Sequence, residues 1–400
     1  MKENALLENA KQMQDTLLQM RRTLHQTAEI GFALPKTLAY IQEQLLQMGY
    51  TPKKCGKSGW VVDVGDESKG KTILLRADID GLPIRERTGL KFACKTGNMH
   101  ACGHDLHATM LLGAAKLLKA QEARLKGRVR LLFQPAEELL EGAKDVIKHG
   151  ALQGVDTAVM LHVLTNVALP TGSVVVACGV SAPAADFFTI KVQGKGCHGS
   201  APWNGIDALS VAAHILLALQ GISAREISIA QPAVLTIGGL QTQDAGNVIS
   251  DTAILKGSLR AFDEKVRLRV KTRMEEIAKN VAKAFRAKVK IEYGGGCPTL
   301  VNDSALSAFA CDSVKRLLGN ERAHLASDLG GGDKENSGGS EDFAYISHQI
   351  PSVMLALSAG ESKDGYTYPL HHPKTAFDET ALHVGAAVYA HIAIRWLEDN

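Results

Sequence analysis

The feature that most constrains this chain is a set of short apolar runs, each too short for a helix and each leading into ionisable residues. Ile73–Leu75, Val129–Phe133, Ala158–Leu161 and Val353–Leu357 read as buried strands. Helical stretches separate them; Leu106–Lys119, for example, sets Leu106, Met110, Ala114 and Leu117 on one face. Residues 5–49 carry helical periodicity through Leu17, Met20 and Leu24, then Ile41, Leu45 and Met48, and Gly31 with Pro35 breaks them into two helices. Such alternation predicts an α/β fold, a mostly parallel sheet flanked by helices.

Near residue 184 the pattern changes. Phe187–Val192 reads as a strand, Asp207–Leu219 as a helix, Val234–Ile237 and Ile254–Ala261 as strands, Glu264–Ala284 as a long helix and Val289–Tyr293 as a strand. The order βαββαβ is that of an α+β ferredoxin-like domain. A chain of 400 residues exceeds what one core usually organises. The expected division is therefore residues 1–183 with 297–400, and an inserted domain at 184–296. Gly330–Gly339 reads as a mobile loop, and lacks both GxxxxGK[ST] and GxGxxG, so it is not a phosphate loop.

Charge narrows the function. Forty-five Lys and Arg against 42 Asp and Glu give +3, which provides no basic field for nucleic acid. The apolar runs are too short to span a bilayer, and the start, MKENALLENAKQMQ, lacks a signal-peptide core, so a cytoplasmic protein is expected with no membrane partner. Seven scattered cysteines form no disulfide framework.

The chemistry lies just past the strands. Ile73–Leu75 precedes Arg76-Ala77-Asp78-Ile79-Asp80; Val129–Phe133 precedes Gln134-Pro135-Ala136-Glu137-Glu138; Ala158–Leu161 runs into His162; Val353–Leu357 leads through a loop to His371-His372-Pro373. In open α/β sheets ligands bind outside the carboxyl ends of strands, so these groups converge on one rim. The loop Met99-His100-Ala101-Cys102-Gly103-His104-Asp105 joins them as it opens a helix. Cys102, His104, Glu138, His162 and His371 make a thiolate, imidazole and carboxylate set suited to borderline divalent ions such as zinc. Five donors exceed one tetrahedral site, so two ions are expected if Cys102 bridges them. Of Glu137 and Glu138, one would hold metal and the other take a proton from bound water.

These residues resemble the aminoacylase/carboxypeptidase family of dinuclear metallohydrolases, in the branch of hippurate hydrolases, auxin-conjugate amidohydrolases and related N-acyl-amino-acid hydrolases. The resemblance spans nearly the whole chain. It rests on Arg21-Arg22-x-x-His25, Arg76-Ala77-Asp78-Ile79-Asp80-Gly81-Leu82-Pro83, the Cys102 loop, Gln134–Glu138, Gly194-Lys195-Gly196-Cys197-His198-Gly199-Ser200-Ala201-Pro202 and Ser340-Glu341-Asp342-Phe343. It implies Cys102, His104, Glu138, His162 and His371 as ligands of two divalent ions per subunit (zinc, manganese, cobalt or nickel), with Cys102 bridging. It implies Glu137 as general acid/base in hydrolysing the amide of an N-acyl amino acid or short peptide. Asp78 and Asp105 would stand behind the ligands and orient histidines. The inserted domain would act as a lid and dimerisation domain, giving a homodimer or higher homo-oligomer. Its His198 would hydrogen-bond the carbonyl oxygen, and Asn247 and Arg260 would grip the substrate carboxylate.

The chain departs from that pattern at Leu106, where many relatives have glycine, and at Trp203, where many have histidine; His372, following His371, leaves the last ligand ambiguous by one position. Two other classes compete: a cysteine hydrolase with Cys102 as nucleophile and His104 or His107 as base, and a binding protein that keeps the fold without the chemistry. The retained Glu137 argues against the second.

Overall fold

The structure is a computed structural model that describes residues 3–243, 245–329 and 339–400. The Gly-rich stretch expected to be mobile lies outside these, except for Gly339. Two compact units emerge: Met1–Ser181 with Val301–Glu335 and Asp342–Asn400, and Ala182–Leu300 with Asn336–Glu341.

The larger unit is built on an eight-stranded sheet in the order Lys53–Cys55, Gly59–Gly65, Arg128–Gln134, Thr72–Asp78, Thr157–Leu164, Ser352–Ser358, Val174–Val176, Ala323–Leu325. The four expected apolar runs are its four central strands, all parallel. Antiparallel pairing enters only where Gly59–Gly65 joins Arg128–Gln134 and Lys53–Cys55, and where Val174–Val176 joins Ser352–Ser358. The outer strands escaped the sequence reading because they are short and carry exposed polar groups, such as Lys53 and Lys54. Helices His104–Lys119 and Ala381–Asp399 pack on each other and on the Thr72–Asp78 strand, which buries the first of them almost entirely.

Three helices rather than two precede the sheet: Glu3–Gln12, Gln14–Gln26 and Pro35–Gln47. The extra break is at Met13, whose N–H bonds back three residues to the Ala10 carbonyl at 3.0 Å. That bend lets Glu3–Gln12 pack on Ala381–Asp399 while Gln14–Gln26 packs on His104–Lys119. Leu17, Ile41 and Leu45 are fully buried, each contributing about 1.5–3 kcal/mol.

One feature of the sheet makes the site. Thr72–Asp78 and Thr157–Leu164 pair only from Ile73↔Thr157 to Arg76↔Met160. Past that point side chains replace the ladder: the Tyr389 hydroxyl accepts from the Leu161 N–H at 2.8 Å and donates to the Arg76 carbonyl at 2.7 Å, and His107 Nε2 accepts from the Val163 N–H at 2.9 Å. The parted carboxyl ends of these strands leave a crevice of the kind in which α/β sheets bind ligands.

The smaller unit has an antiparallel four-stranded sheet, ordered Ala233–Thr242, Thr252–Ala261, Ala184–Gln193, Lys288–Cys297, with helices Ala208–Gly221 and Glu264–Ala284 between strands. That is the ferredoxin-like plan. Asp207 and Asp263 cap the helices by accepting from Leu209 N–H at 3.0 Å and Val266 N–H at 2.9 Å. The stretch Ala208–Glu226 is long and apolar enough to cross a membrane by length and composition, a match the sequence reading did not find. Its Val211, Ala212, Ile215 and Leu219 are buried in this unit's core.

Candidate metal centre

Gly103 sits at the left-handed φ of +87°, and a Cβ there would lie 2.4 Å from the Val163 side chain. This tight turn starts the helix at His104 with Cys102 just outside it. His104 Nδ1 faces the Asp80 carbonyl at 2.9 Å, and His162 Nδ1 faces the Val163 carbonyl at 2.8 Å. A carbonyl only accepts, so each ring keeps a proton on Nδ1, and Nε2 is the nitrogen placed to coordinate.

Those nitrogens converge. His162 Nε2 is 3.6 Å and His371 Nε2 3.2 Å from Cys102 Sγ. His371 Nε2 is also 3.5 Å from Glu138 Oε1. His104 Nε2 lies 3.9 Å from both Glu137 Oε2 and Glu138 Oε1, and it is buried without a hydrogen-bond partner among the described residues. The structure thus brings Cys102, His104, Glu138, His162 and His371 together, with Glu137 at their edge. His371 rather than His372 reaches them: the His372 ring stacks on Tyr368 at 4.6 Å and its Nδ1 accepts from the Lys374 N–H.

The backbone carries strain at the same places. Ala136, Leu140 and His371 all have positive φ, at 55°, 54° and 64°, a conformation costing roughly 1–2 kcal/mol per non-glycine residue. Strain of this sort persists only where surrounding structure over-determines it. At the glutamates, Gly142 supplies part of that: its N–H bonds the Ala136 carbonyl, and a Cβ there would lie 1.7 Å from the Pro135 carbonyl oxygen.

Electrostatics fit a cation. Burial, and then the neighbouring Glu138, push the Cys102 thiol well above its ordinary range. Burial opposes a charge on His104, yet Asp78 and the bond to Asp80 hold it well above the usual imidazole value. The site thus draws a proton onto a nitrogen placed to coordinate, and resists forming a thiolate until positive charge arrives. A divalent ion resolves both, since ligands give up protons as metal binds. The donors fit a divalent metal pair on these grounds.

His107 is spent. Its Nδ1 donates to Asp78 Oδ1 at 2.5 Å while Nε2 accepts from the Val163 N–H, and burial brings its pKa down to about 3. A neutral ring committed at both nitrogens cannot serve Cys102 as a base. Asp78 also takes Arg76 Nη1 at 2.6 Å, and Arg76 Nη2 reaches Asp342 at 2.7 Å. Asp105 faces elsewhere: it accepts from Arg21 Nε and contacts His25 Nδ1, both at 2.8 Å, and bonds none of the five converging residues. Sequence reasoning gave no role to Asp80, Tyr389 or Arg76; Asp80 and Arg76 stand in a quoted motif, while nothing local marks Tyr389.

In the smaller unit, Cys197–His198 pairs with Val248–Ile249, His198 opposite Val248. The Gly199 N–H bonds the Asn247 carbonyl at 2.7 Å, so His198 and Asn247 stand on adjoining backbone. His198 Nδ1 accepts from the Ser200 N–H at 3.1 Å, which leaves the proton of the neutral ring on Nε2. Arg260, on another strand, donates to the Ser340 hydroxyl and bonds neither His198 nor Asn247.

A thiol, imidazoles and carboxylates on the strand ends of an α/β sheet, poised for a metal pair, define a metal-dependent hydrolase. The chain belongs to peptidase family M20/M25/M40, whose model matches residues 74–395. It is 38% identical, over 100% of its length and 92% of the relative's, to the N-acetyl-L-cysteine deacetylase of Bacillus subtilis. It is 34% identical to thermostable carboxypeptidase 1 of Saccharolobus solfataricus, over 98% of each. The crystal structure of a dinuclear metal binding peptidase of the M20 family from Bacillus subtilis matches with a TM-score of 0.79 at 32% identity, covering 97% of this chain and 99% of that one.

Proposed function

We propose that the protein hydrolyses the amide bond of N-acyl-L-amino acids, with Cys102, His104, Glu138, His162 and His371 holding two divalent ions. The observation that carries this reading is the asymmetry of the glutamates. Glu138 shares one group with Cys102 and His371 and another with His104, whereas Glu137 shares a group with His104 but none with Cys102, His162 or His371. Glu138 is accordingly assigned as the ligand and Glu137 as the proton carrier. When bound, the metal pair supplies Lewis-acid polarisation of the amide carbonyl and an acidified water. Glu137 takes the proton of the attacking water and delivers it to the departing nitrogen, giving a carboxylic acid and a free amino acid. His198, with its proton on Nε2, is assigned to donate to the carbonyl oxygen as charge develops there. Asn247 and Arg260 are assigned to the substrate carboxylate, for which a guanidinium has the matching fork. The thiolate favours zinc, with manganese, cobalt and nickel as the other ions to test. We further assign a homodimer, joined through the inserted domain, in the cytoplasm.

The carboxypeptidase relative supports a second reading, in which short peptides are the substrates. One experiment separates these. Metal-free protein is resupplied with each divalent ion and offered N-acetyl, benzoyl and long-chain acyl amino acids beside dipeptides and tripeptides. Turnover of the acyl series above the peptides supports the proposal, and the reverse preference supports the carboxypeptidase. Activity that survives chelation but not thiol alkylation would mean a cysteine hydrolase, and inertness at full metal loading a binding protein.

A further inference from the structure

We propose that Thr375 is the positioning residue that holds His371 in the one conformation that reaches the metal pair, an inference resting on the reading of His371 as a ligand. Residues 369–372 make a turn with His371 at the third position, at a φ of +64°. In a closed turn the carbonyl of the first residue accepts from the N–H of the fourth. Here the Thr375 hydroxyl stands between the two. It accepts from the His372 N–H at 3.2 Å and donates to the Pro369 carbonyl. The Thr375 N–H returns to the His372 carbonyl at 2.9 Å, which ties the hydroxyl to the turn it closes. Thr375 is itself buried.

His371 needs this support more than the other imidazoles do. His104 and His162 each set Nδ1 against a backbone carbonyl, which fixes the ring. Among the described residues no hydrogen bond reaches Nδ1 of His371, and the residue is exposed. Its direction is therefore set by the backbone. That backbone is left-handed, where a turn ordinarily takes glycine or asparagine and a histidine costs roughly 1–2 kcal/mol. The His371 N–H donates to the Ala101 carbonyl at 2.9 Å, which docks the turn on the Cys102 loop. Nε2 then lies 3.2 Å from Cys102 Sγ and 3.5 Å from Glu138 Oε1, while the next ring, His372, stacks on Tyr368 instead. The relay through Thr375 asks for one atom that both donates and accepts, which a hydroxyl does. A serine could serve as well. A valine of the same shape would set a methyl between the Pro369 carbonyl and the His372 N–H, and the turn would open.

The test compares Thr375→Val with Thr375→Ser in the full-length protein. Metal-free samples are titrated with zinc against a chromophoric chelator, and the unfolding midpoint and kcat on an N-acyl amino acid are measured alongside. In Thr375→Val the weaker of the two zinc affinities should fall about 10–100-fold, the usual effect of losing a group that orients a metal ligand. Its kcat should drop at limiting zinc and recover as zinc is raised. Thr375→Ser should bind zinc as the wild type does. A lower unfolding midpoint with zinc affinity unchanged in Thr375→Val overturns the proposal, and so does an equal loss of affinity in Thr375→Ser. If Thr375→Val does not fold, Thr375→Ala, which removes the hydroxyl without setting a methyl against Pro369, decides by the same readouts. If neither folds, the hydroxyl serves the fold and the proposal falls. A His371→Ala variant run alongside separates the two claims. Wild-type zinc affinity there removes His371 as a ligand, whereas weakened zinc there with wild-type affinity in Thr375→Val removes only the role of Thr375.

Discussion

His104 and Asp105 are neighbours in the first turn of one helix and equally buried, yet they serve networks of opposite kind. In front, His104 stands among a thiol, two other imidazoles and three carboxylates: Cys102, His107 and His162, and Asp78, Glu137 and Glu138. Behind, Asp105 meets Arg21 and His25, His25 meets Glu86 at 3.1 Å, and Arg21 and Arg22 both reach Glu379. Buried titratable residues therefore do not by themselves make a metal site. The front gathers donors that can accept ions, with Arg76 held by Asp78 and Asp342; the rear carries its own cations, so it is a structural brace. The helix turn divides them, because consecutive side chains point about 100° apart.

The largest expected effect falls at the front. Glu137→Gln should keep the metal content of the wild type and lower kcat by about 10²–10⁴-fold. Elemental analysis beside steady-state rates checks it; loss of metal would instead make Glu137 a ligand and overturn its role as proton carrier.

Behind, the order reverses. Arg21→Met strands Asp105 and destabilises the fold by about 3–5 kcal/mol, as removing one partner of a buried pair does. Metal stoichiometry per folded molecule should stay as in the wild type. Denaturant melts with metal analysis measure both, and a parallel fall in metal would merge the two networks into one.

Tyr389→Phe probes the boundary between sheet and crevice. The variant loses a bond to each parted strand, leaving the Arg76 carbonyl and Leu161 N–H without it, at about 1–3 kcal/mol for each buried group left unsatisfied. The midpoint of unfolding should fall, with a smaller change in KM than in stability. An unchanged midpoint would mean that water takes the place of the hydroxyl.

Much of this contrast is legible in the sequence, for a physical reason. The four central strands are buried on both faces, so they show as continuous apolar runs, and the residues after them are the groups at the rim. Which side a residue serves is harder. His104 and Asp105 read alike as motif residues, and only the contact with Arg21, 84 positions away, shows that Asp105 faces the rear. Tyr389 is equally silent, because its hydroxyl acts through strands more than 200 residues distant in sequence. The break at Met13 carries no proline or glycine and follows from which helices the two segments pack on. Asp80 is visible in Arg76–Pro83, but its bonds to the Glu137 and Glu138 N–H groups depend on a turn whose backbone angles no local pattern announces.

The smallest effect is a pH dependence confined to the rear. Burial opposes protonation of His25, but Asp105 and Glu86 outweigh it and raise the pKa above the ordinary 6.5. Asp105 and Glu86 are held below their ordinary 3.8 and 4.5 against the cost of burial, Asp105 by Arg21 and His25, Glu86 chiefly by its bonds to His25 and Thr88. The signs follow from linkage. The His25 contribution is complete below pH 6.5 and is lost as pH rises through its higher folded value. The carboxylate contributions are complete above 3.8 and 4.5, and are lost as pH falls through their lower folded values. The brace is therefore tightest between about pH 4.5 and 6.5. His25→Gln removes the imidazolium but keeps a polar side chain, so its destabilisation should be larger at pH 6 than at pH 9. Chemical melts of the metal-free protein at the two pH values measure that difference without the front contributing through bound ions. A destabilisation equal at both would show His25 uncharged throughout, and the rear would then hold one cation fewer than the contrast with the front requires.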